Sequence, residues 1–166
     1  MALEELARVR EIDVSESGSA VYTVVDGQLA LTEEPWQRSP RSTSQWQPYI
    51  EEWEALLQGR GAAIRASAEG RLVGIAVIRY RLTEDMAQLA ALFVDRAHRR
   101  QGIATALTDE VIRVVRGEGA QDLYVSATPS ESAVGFYTRQ GFTLAQPINR
   151  ALYEREPDDI HLARPL

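Results

Sequence analysis

QLAALFVDRAHRRQGIATAL, residues 88 to 107, reads as an apolar strand, a basic turn and the start of an amphipathic helix with no linker between them. Leu89 to Val94 is the strand half. The helix half begins near Gly102 and puts Ile103, Leu107, Val111 and Val115 on one face at spacings of four, the repeat of a helix packed on one side. Between the halves stand Arg99, Arg100, Gln101 and Gly102. Gly102 has no side chain to block a ligand. The amides of Arg100, Gln101, Gly102, Ile103 and Ala104 can therefore converge on a phosphate at the helix N-terminus, where the macrodipole supplies about half a positive charge. Arg99 and Arg100 add full charges and forked donors.

The stretch matches neither the three-glycine dinucleotide fingerprint nor the P-loop. Written as Arg99-x-x-Gly102-x-Ala104 after Leu92-Phe93-Val94, it resembles the pyrophosphate-binding motif of the GCN5-related N-acetyltransferases, the GNAT superfamily. Ala133-x-x-Phe136-Tyr137-x-x-x-Gly141-Phe142 is similar to the later helix and strand of the same family, at the expected distance downstream. The resemblance covers residues 71 to 146; the first seventy residues match nothing as specific.

The resemblance implies a mixed α/β fold with a mostly antiparallel sheet, one splayed parallel strand pair and helices on both faces. It implies acetyl-CoA as the cofactor, its pantetheine arm lying in the gap of the splayed pair. A bulge in the strand of Leu92 to Val94 would leave main-chain groups near Phe93 and Val94 to hydrogen-bond the arm and polarise the thioester carbonyl. Arg99, Arg100, Gln101, Gly102, Ile103, Ala104 and Thr105 would hold the diphosphate, and Ser130, Ser132, Ala133, Phe136, Tyr137 and Arg139 the far wall. Ser130 is better read as a helix cap, and Arg139 reads equally as a solvated helix charge. Tyr137 matches the family tyrosine that reaches the cofactor sulfur, and a phenol stays protonated at neutral pH, so it is the expected acid for the departing thiolate.

Amine attack on a thioester also needs a base, because a free amine with pKa about 10 is mostly protonated at neutral pH. Many relatives carry a carboxylate just before Leu-Phe-Val, where this chain has Ala90 and Ala91. Glu33, Glu34 and Glu84 remain as candidates, each also readable as a solvated charge. His98 and His161 are isolated and do not compose a metal site.

Composition bounds the rest. With 166 residues and 45% hydrophobic content, one domain suffices. The expected division is an acceptor-side region over 1–60, a cofactor-binding core over 61–146 and a C-terminal strand region over 147–166. A net charge of −6 repels nucleic acid and anionic membrane and steers a cationic small molecule favourably. Absence of cysteine excludes disulfides, thiolate metal sites and a cysteine nucleophile. No apolar run approaches a membrane span and MALEELARVREID is too charged for a signal peptide, so cytoplasmic residence is the default expectation.

Along the chain, residues 8 to 14 alternate weakly as a first strand. Val21 to Val25 and Gln28 to Leu31 flank Asp26-Gly27, a hairpin turn sequence. The family usually places helices there; the hairpin resembles a feature of the streptothricin acetyltransferases, without setting a substrate. Residues 32 to 46 read as a long irregular loop, with Trp36 and Trp46 pinning it to the body. Pro48 suits a first helical turn ahead of Ile50, Trp53 and Leu57. Ala62 to Ala68, Leu72 to Tyr80 and Met86 to Val94 form an antiparallel meander, and Leu123 to Ala127 a buried parallel strand after the helix. A short helix follows, capped by Ser130 or Ser132, then a strand from Phe142, an acidic loop over 154 to 159 and a last strand at Ile160 to Leu162.

The expected function is acetyl transfer from acetyl-CoA to a primary amine of a small cationic molecule, by direct attack in a ternary complex. A protein amino terminus or lysine is the alternative acceptor. A non-catalytic acyl-CoA-binding sensor and a nucleotide-phosphate-binding protein are the other classes. Homodimers are common among proteins of this fold, although no residue here marks an interface.

Overall fold

A computed structural model describes residues 1–166. A 3-10 helix at Leu3–Glu11 leads into a hairpin of β1 (Glu16–Val25) and β2 (Gln28–Arg38). There follow α1 (Thr43–Gln58), β3 (Gly61–Ala68), β4 (Arg71–Arg79), β5 (Met86–Val94) and α2 (Ile103–Gly117). The chain closes with β6 (Asp122–Ala127), α3 (Glu131–Arg139), β7 (Thr143–Leu144), α4 (Arg150–Arg155) and β8 (Ile160–Pro165). The hairpin is its own two-stranded sheet, and the other strands form one six-stranded sheet in the order β3-β4-β5-β6-β8-β7.

All pairings in the large sheet are antiparallel except β5 with β6, which run parallel because α2 carries the chain back across one face. That pair holds together only where Met86, Ala87 and Gln88 meet Asp122, Leu123 and Tyr124. Beyond Gln88 and Tyr124 the strands diverge into a V. The divergence coincides with a bulge at Ala90, since Val77 opposes Ala91 while Ile78 opposes Leu89. The extra residue turns Ala90 and Ala91 toward one face together with Phe93, while Leu89, Leu92 and Val94 pack on the other.

Two apolar layers cover the sheet. On one face Leu107, Val111 and Val115 of α2 and Val134 and Tyr137 of α3 join Ala76, Ile78, Leu89, Leu123 and Leu162. On the other, Leu6 and Val9 join Trp46, Ile50 and Trp53 of α1 against Ala63, Leu72, Ile75 and Val77. Each such side chain contributes about 1.5–3 kcal/mol when fully buried, so both layers anchor the strands that bound the V. Gly74 lets α2 close onto β4: a Cβ there would stand 3.0 Å from Ile103 and 3.1 Å from Leu107.

Three segments differ from the sequence expectation. Residues 3–11 form a 3-10 helix rather than part of a strand, because Leu6 and Val9 are buried three apart, which is the period of that helix. The expected loop over 32 to 46 is shorter, since β2 continues to Arg38 by pairing with Glu16, Ser17 and Gly18. Trp36 Nε1 donates to the Ala20 carbonyl at 3.2 Å. The helix then starts at Thr43, capped by Ser42, whose hydroxyl accepts from Gln45 N–H while the Gln45 side chain accepts from Ser42 N–H, and Pro48 falls inside it. Part of the acidic C-terminal loop is helical as α4, capped where Asn149 Oδ1 accepts from Leu152 N–H at 3.1 Å.

The hairpin forms about the expected turn, with positive φ at Asp26 (51°) and Gly27 (74°). Its position matters more than its shape. At the start of β1, Arg96 Nη1 donates to Ser15 Oγ (3.3 Å) and Arg99 Nη1 to Ser15 C=O (3.2 Å), just past the end of β5. Further along, Tyr22 N–H donates to Pro129 C=O at 2.6 Å and Val21 bridges Ser130, just past the end of β6. β1 therefore crosses the open end of the V as a strap. No helix is long and apolar enough to cross a membrane.

Candidate active site

The turn between β5 and α2 is set by Asp95. Its buried carboxylate accepts from Ala97 N–H (3.1 Å), from Asp13 N–H (2.9 Å) and stands 3.0 Å from His98 Nδ1. Burial opposes ionisation, but these hydrogen bonds outweigh it and hold the carboxyl below its ordinary range. The chain then passes through left-handed conformations at Arg100 (φ 61°) and Gly102 (φ 83°), and α2 begins without a side-chain cap. Main-chain amides from Arg100 to Thr105 donate to no acceptor within the protein. A run of orphan donors at a helix N-terminus is an anion cradle. Gln101 and Gly102 are exposed there, Ile103 and Ala104 half-buried, Thr105 exposed.

Arg99 and Arg100 part company. Arg100 is exposed at the cradle, whereas Arg99 Nε donates to Val94 C=O at 3.1 Å and its Nη1 reaches Ser15 and, at 3.7 Å, Glu16. Arg99 thus ties the strap to the end of β5. The adjoining strand edge is open. Asp95 N–H donates to Val73 C=O, so by alternation Phe93 faces its main chain toward β4, and Leu92 and Val94 face theirs into the V. Leu92 N–H and C=O and Val94 N–H are the groups that an extended ligand could pair with.

The opposite wall comes from α3. Ser130 is buried and caps it, its Oγ accepting from Ala133 N–H at 3.2 Å and lying 3.1 Å from Ser132 Oγ. Phe136 is half-buried, and its ring meets that of Tyr137 edge-on, centroids 5.2 Å apart, with Phe142 on the other side at 5.4 Å. Tyr137 is 7% exposed, and no protein atom hydrogen-bonds its hydroxyl. Burial first, and the negative charge of Asp159 second, push its phenol far above the usual value, so it stays protonated at any physiological pH. Arg139 is exposed on α3, with Nη1 lying over Gly135.

Of the candidate bases, Glu33 and Glu34 are exposed on β2, Glu33 opposite Ala20, next to the Val21 that bridges Ser130. Glu84 is exposed in the turn before β5, at the far end of that strand from Val94. On the face of Ala91 and Phe93, Arg41 places its guanidinium carbon 4.3 to 5.0 Å from the rings of Tyr49, Trp46 and Phe93, and burial lowers its pKa.

Asp159 was not singled out by sequence reasoning. It ends the acidic loop and precedes β8, whose Ile160 pairs with Ala127 at the open end of the V. Its carboxylate is half-buried and makes no hydrogen bond or ion pair; Ile160 beside it shares the buried cluster that holds Tyr137, and its negative charge is felt at the Tyr137 phenol. Burial, then the repulsion of Glu156, raise its pKa to about 6 against the weaker pull of His161 and Arg38. The only sequence signal was its place directly before an alternating strand. Behind it, Asn149 N–H donates to Tyr124 Oη (3.1 Å), Tyr124 Oη donates to His161 Nδ1 (2.8 Å) and His161 Nε2 donates to Glu156 C=O (3.0 Å). Assigned this way, every member of the chain is satisfied and the loop is fixed.

A parallel strand pair opened at a bulge, with a helix N-terminus of free amides at one lip, offers one extended ligand both a free strand edge and an anion cradle. The family model of the acetyltransferase (GNAT) family matches residues 23–142, and the chain belongs to that family. Human N-acetyltransferase 8 is 38% identical over 95 residues, 54% of this chain and 42% of that protein, so the chain spans less than half the length of this relative. Among solved structures, a nourseothricin acetyltransferase aligns over 99% of this chain and 95% of its own at TM-score 0.76 and 20% identity. The PaiA N-acetyltransferase of Thermoplasma acidophilum, solved with coenzyme A, aligns over 100% and 96% at TM-score 0.63 and 13% identity.

Proposed function

We propose that the protein transfers an acetyl group from acetyl-CoA to a primary amine of a small cationic molecule. The observation that carries this reading is the row of free amides from Arg100 to Thr105 beside the opened edge of β5. The amides and Arg100 would take the diphosphate, and the main-chain groups of Leu92 and Val94 would align the pantetheine arm as a substitute strand. The thioester then lies deep in the V, and the main-chain donors polarise its carbonyl. Tyr137, kept protonated by its surroundings, donates to the sulfur as the carbon–sulfur bond breaks. The acceptor enters from the face of Phe93 and Arg41, beneath the strap of β1. That enclosure and the net charge of −6 support a compact cationic amine rather than a protein chain.

Release of free thiol from acetyl-CoA across an amine panel tests the activity. Spermidine, nourseothricin and a lysine-containing peptide represent a polyamine, the acceptor named for the solved relative that shares the hairpin region, and a protein substrate. Turnover of the peptide alone would replace the small-molecule assignment. Tyr137→Phe should lower kcat by about 10²-fold with coenzyme A affinity retained; an unchanged kcat would remove Tyr137 from the chemistry.

A further inference from the structure

The fold lacks a carboxylate at Ala90 and Ala91, yet a carboxylate stands at the mouth of the V on a different element. We propose that Asp159 is the proton acceptor for the attacking amine, and that it works as a pair with Tyr137; this rests on the acetyl-transfer reading above.

Three observations carry the assignment. First, position: Asp159 is held at the C-terminal end of β6 by the Ile160–Ala127 pairing, where β5 and β6 are open. Second, it has no partner. Asp159 is half-buried, yet its carboxylate accepts no hydrogen bond and joins no ion pair, although Arg38 of β2 is near enough to affect it. A carboxylate retained for stability is expected to be hydrogen-bonded. Third, the support behind it is built. The Tyr124–His161–Glu156 chain and the Asp159 N–H to Glu156 C=O bond (3.2 Å) fix the main chain while leaving the side chain free. The charged or titratable groups around it are Glu156, Asp158, His161, Arg38 and Tyr137.

The proton balance closes within the pair. The amine nitrogen forms the carbon–nitrogen bond, and Asp159 takes the proton that nitrogen loses. Tyr137 gives its phenolic proton to sulfur as the carbon–sulfur bond breaks. Asp159, now the acid, returns its proton to the Tyr137 phenolate. Amine and acetyl-CoA become amide and thiol, and both side chains end as they began. The amine attacks in its neutral form, its ammonium proton having passed to solvent on entry, so Asp159 takes only the proton lost as the carbon–nitrogen bond forms. The raised pKa of Asp159 suits a base operating just above neutrality.

Wild type and Asp159→Asn are compared in thiol release from pH 5.5 to 9, with spermidine, with nourseothricin and with water alone as acceptor. Acetyl-CoA binding is followed by calorimetry and thermal unfolding across the same range. The expected result is a loss of about 10²–10⁴-fold in kcat/KM, disappearance of the acidic limb near pH 6, unchanged acetyl-CoA affinity, and a thermal midpoint that is unchanged or higher at pH 7. Activity within threefold of wild type with the limb intact overturns the assignment, as does a lowered midpoint, which marks Asp159 as structural. Failure of wild type to bind acetyl-CoA, or to accelerate thiol release with any acceptor or water, removes the acetyl-transfer reading itself, a separate outcome.

Discussion

At the residue scale, the site sets two groups of different proton affinity against each other. Tyr137 is locked in the acid form by burial and by Asp159, while Asp159 is raised only to about 6. This has a measurable cost for the free protein. The folded value of Asp159 exceeds the ordinary carboxylate value of about 3.9, so protonation favours the folded state. Stability from this group is therefore present at low pH, falls as pH rises from about 4 to about 6, and stays lower above that. Asp159→Asn removes the charge and should raise the thermal midpoint at pH 7 by a few degrees, with no gain at pH 4, in scanning calorimetry at both pH values. Asp95 has the opposite sign. Hydrogen bonds lower its pKa, so the stability it contributes is present above its unfolded value and is lost as pH falls through the lower folded value.

At the scale of elements, the cradle depends on backbone conformation more than on side chains. Gly102 adopts φ 83°, and no atom lies within 4 Å of the point where a Cβ would stand, so conformation rather than space restricts the position. Gly102→Val should therefore leave neighbouring packing alone but cost about 1–2 kcal/mol of left-handed strain. Relief of that strain tilts the first-turn amides, and the Kd for coenzyme A measured by calorimetry should weaken by about tenfold or more. An unchanged Kd would mean the amides of α2 do not hold the diphosphate. The bulge at Ala90 is the complementary device on β5, since it ends the pairing to β6 and turns the edge of Leu92 and Val94 free.

At the scale of the whole molecule, the N-terminal hairpin and the cofactor-side turn are joined through a few long-range contacts. Asp95 binds Asp13 N–H across 82 residues, Arg96 and Arg99 hold Ser15, and Pro129 holds Tyr22. Asp95→Ala leaves Asp13 and Ala97 N–H without their acceptor and should destabilise the fold by about 2–3 kcal/mol in urea titration. The same variant should bind coenzyme A less tightly, because the turn that presents the amides is then unsupported. A variant as stable as wild type would show that the strap is held elsewhere.

The sequence alone determined what is local. Periodicity from Ile103 to Val115 specified α2, the Asp26-Gly27 pair specified the hairpin turn, and Arg99-x-x-Gly102-x-Ala104 with Phe136-Tyr137 pointed to the family. Those features are legible because each is written in residues next to one another or one helical turn apart. Tertiary structure decided what depends on distant segments: that the pairing of Glu16, Ser17 and Gly18 extends β2 to Arg38, that β1 straps the V, that Arg99 is spent on Val94 and Ser15, and that Asp159 stands at the end of β6. No spacing rule brings residue 159 to the open end of β6, because that approach is made by strand β8 returning beside β6, a pairing whose energy lies in the assembled sheet and not in either segment.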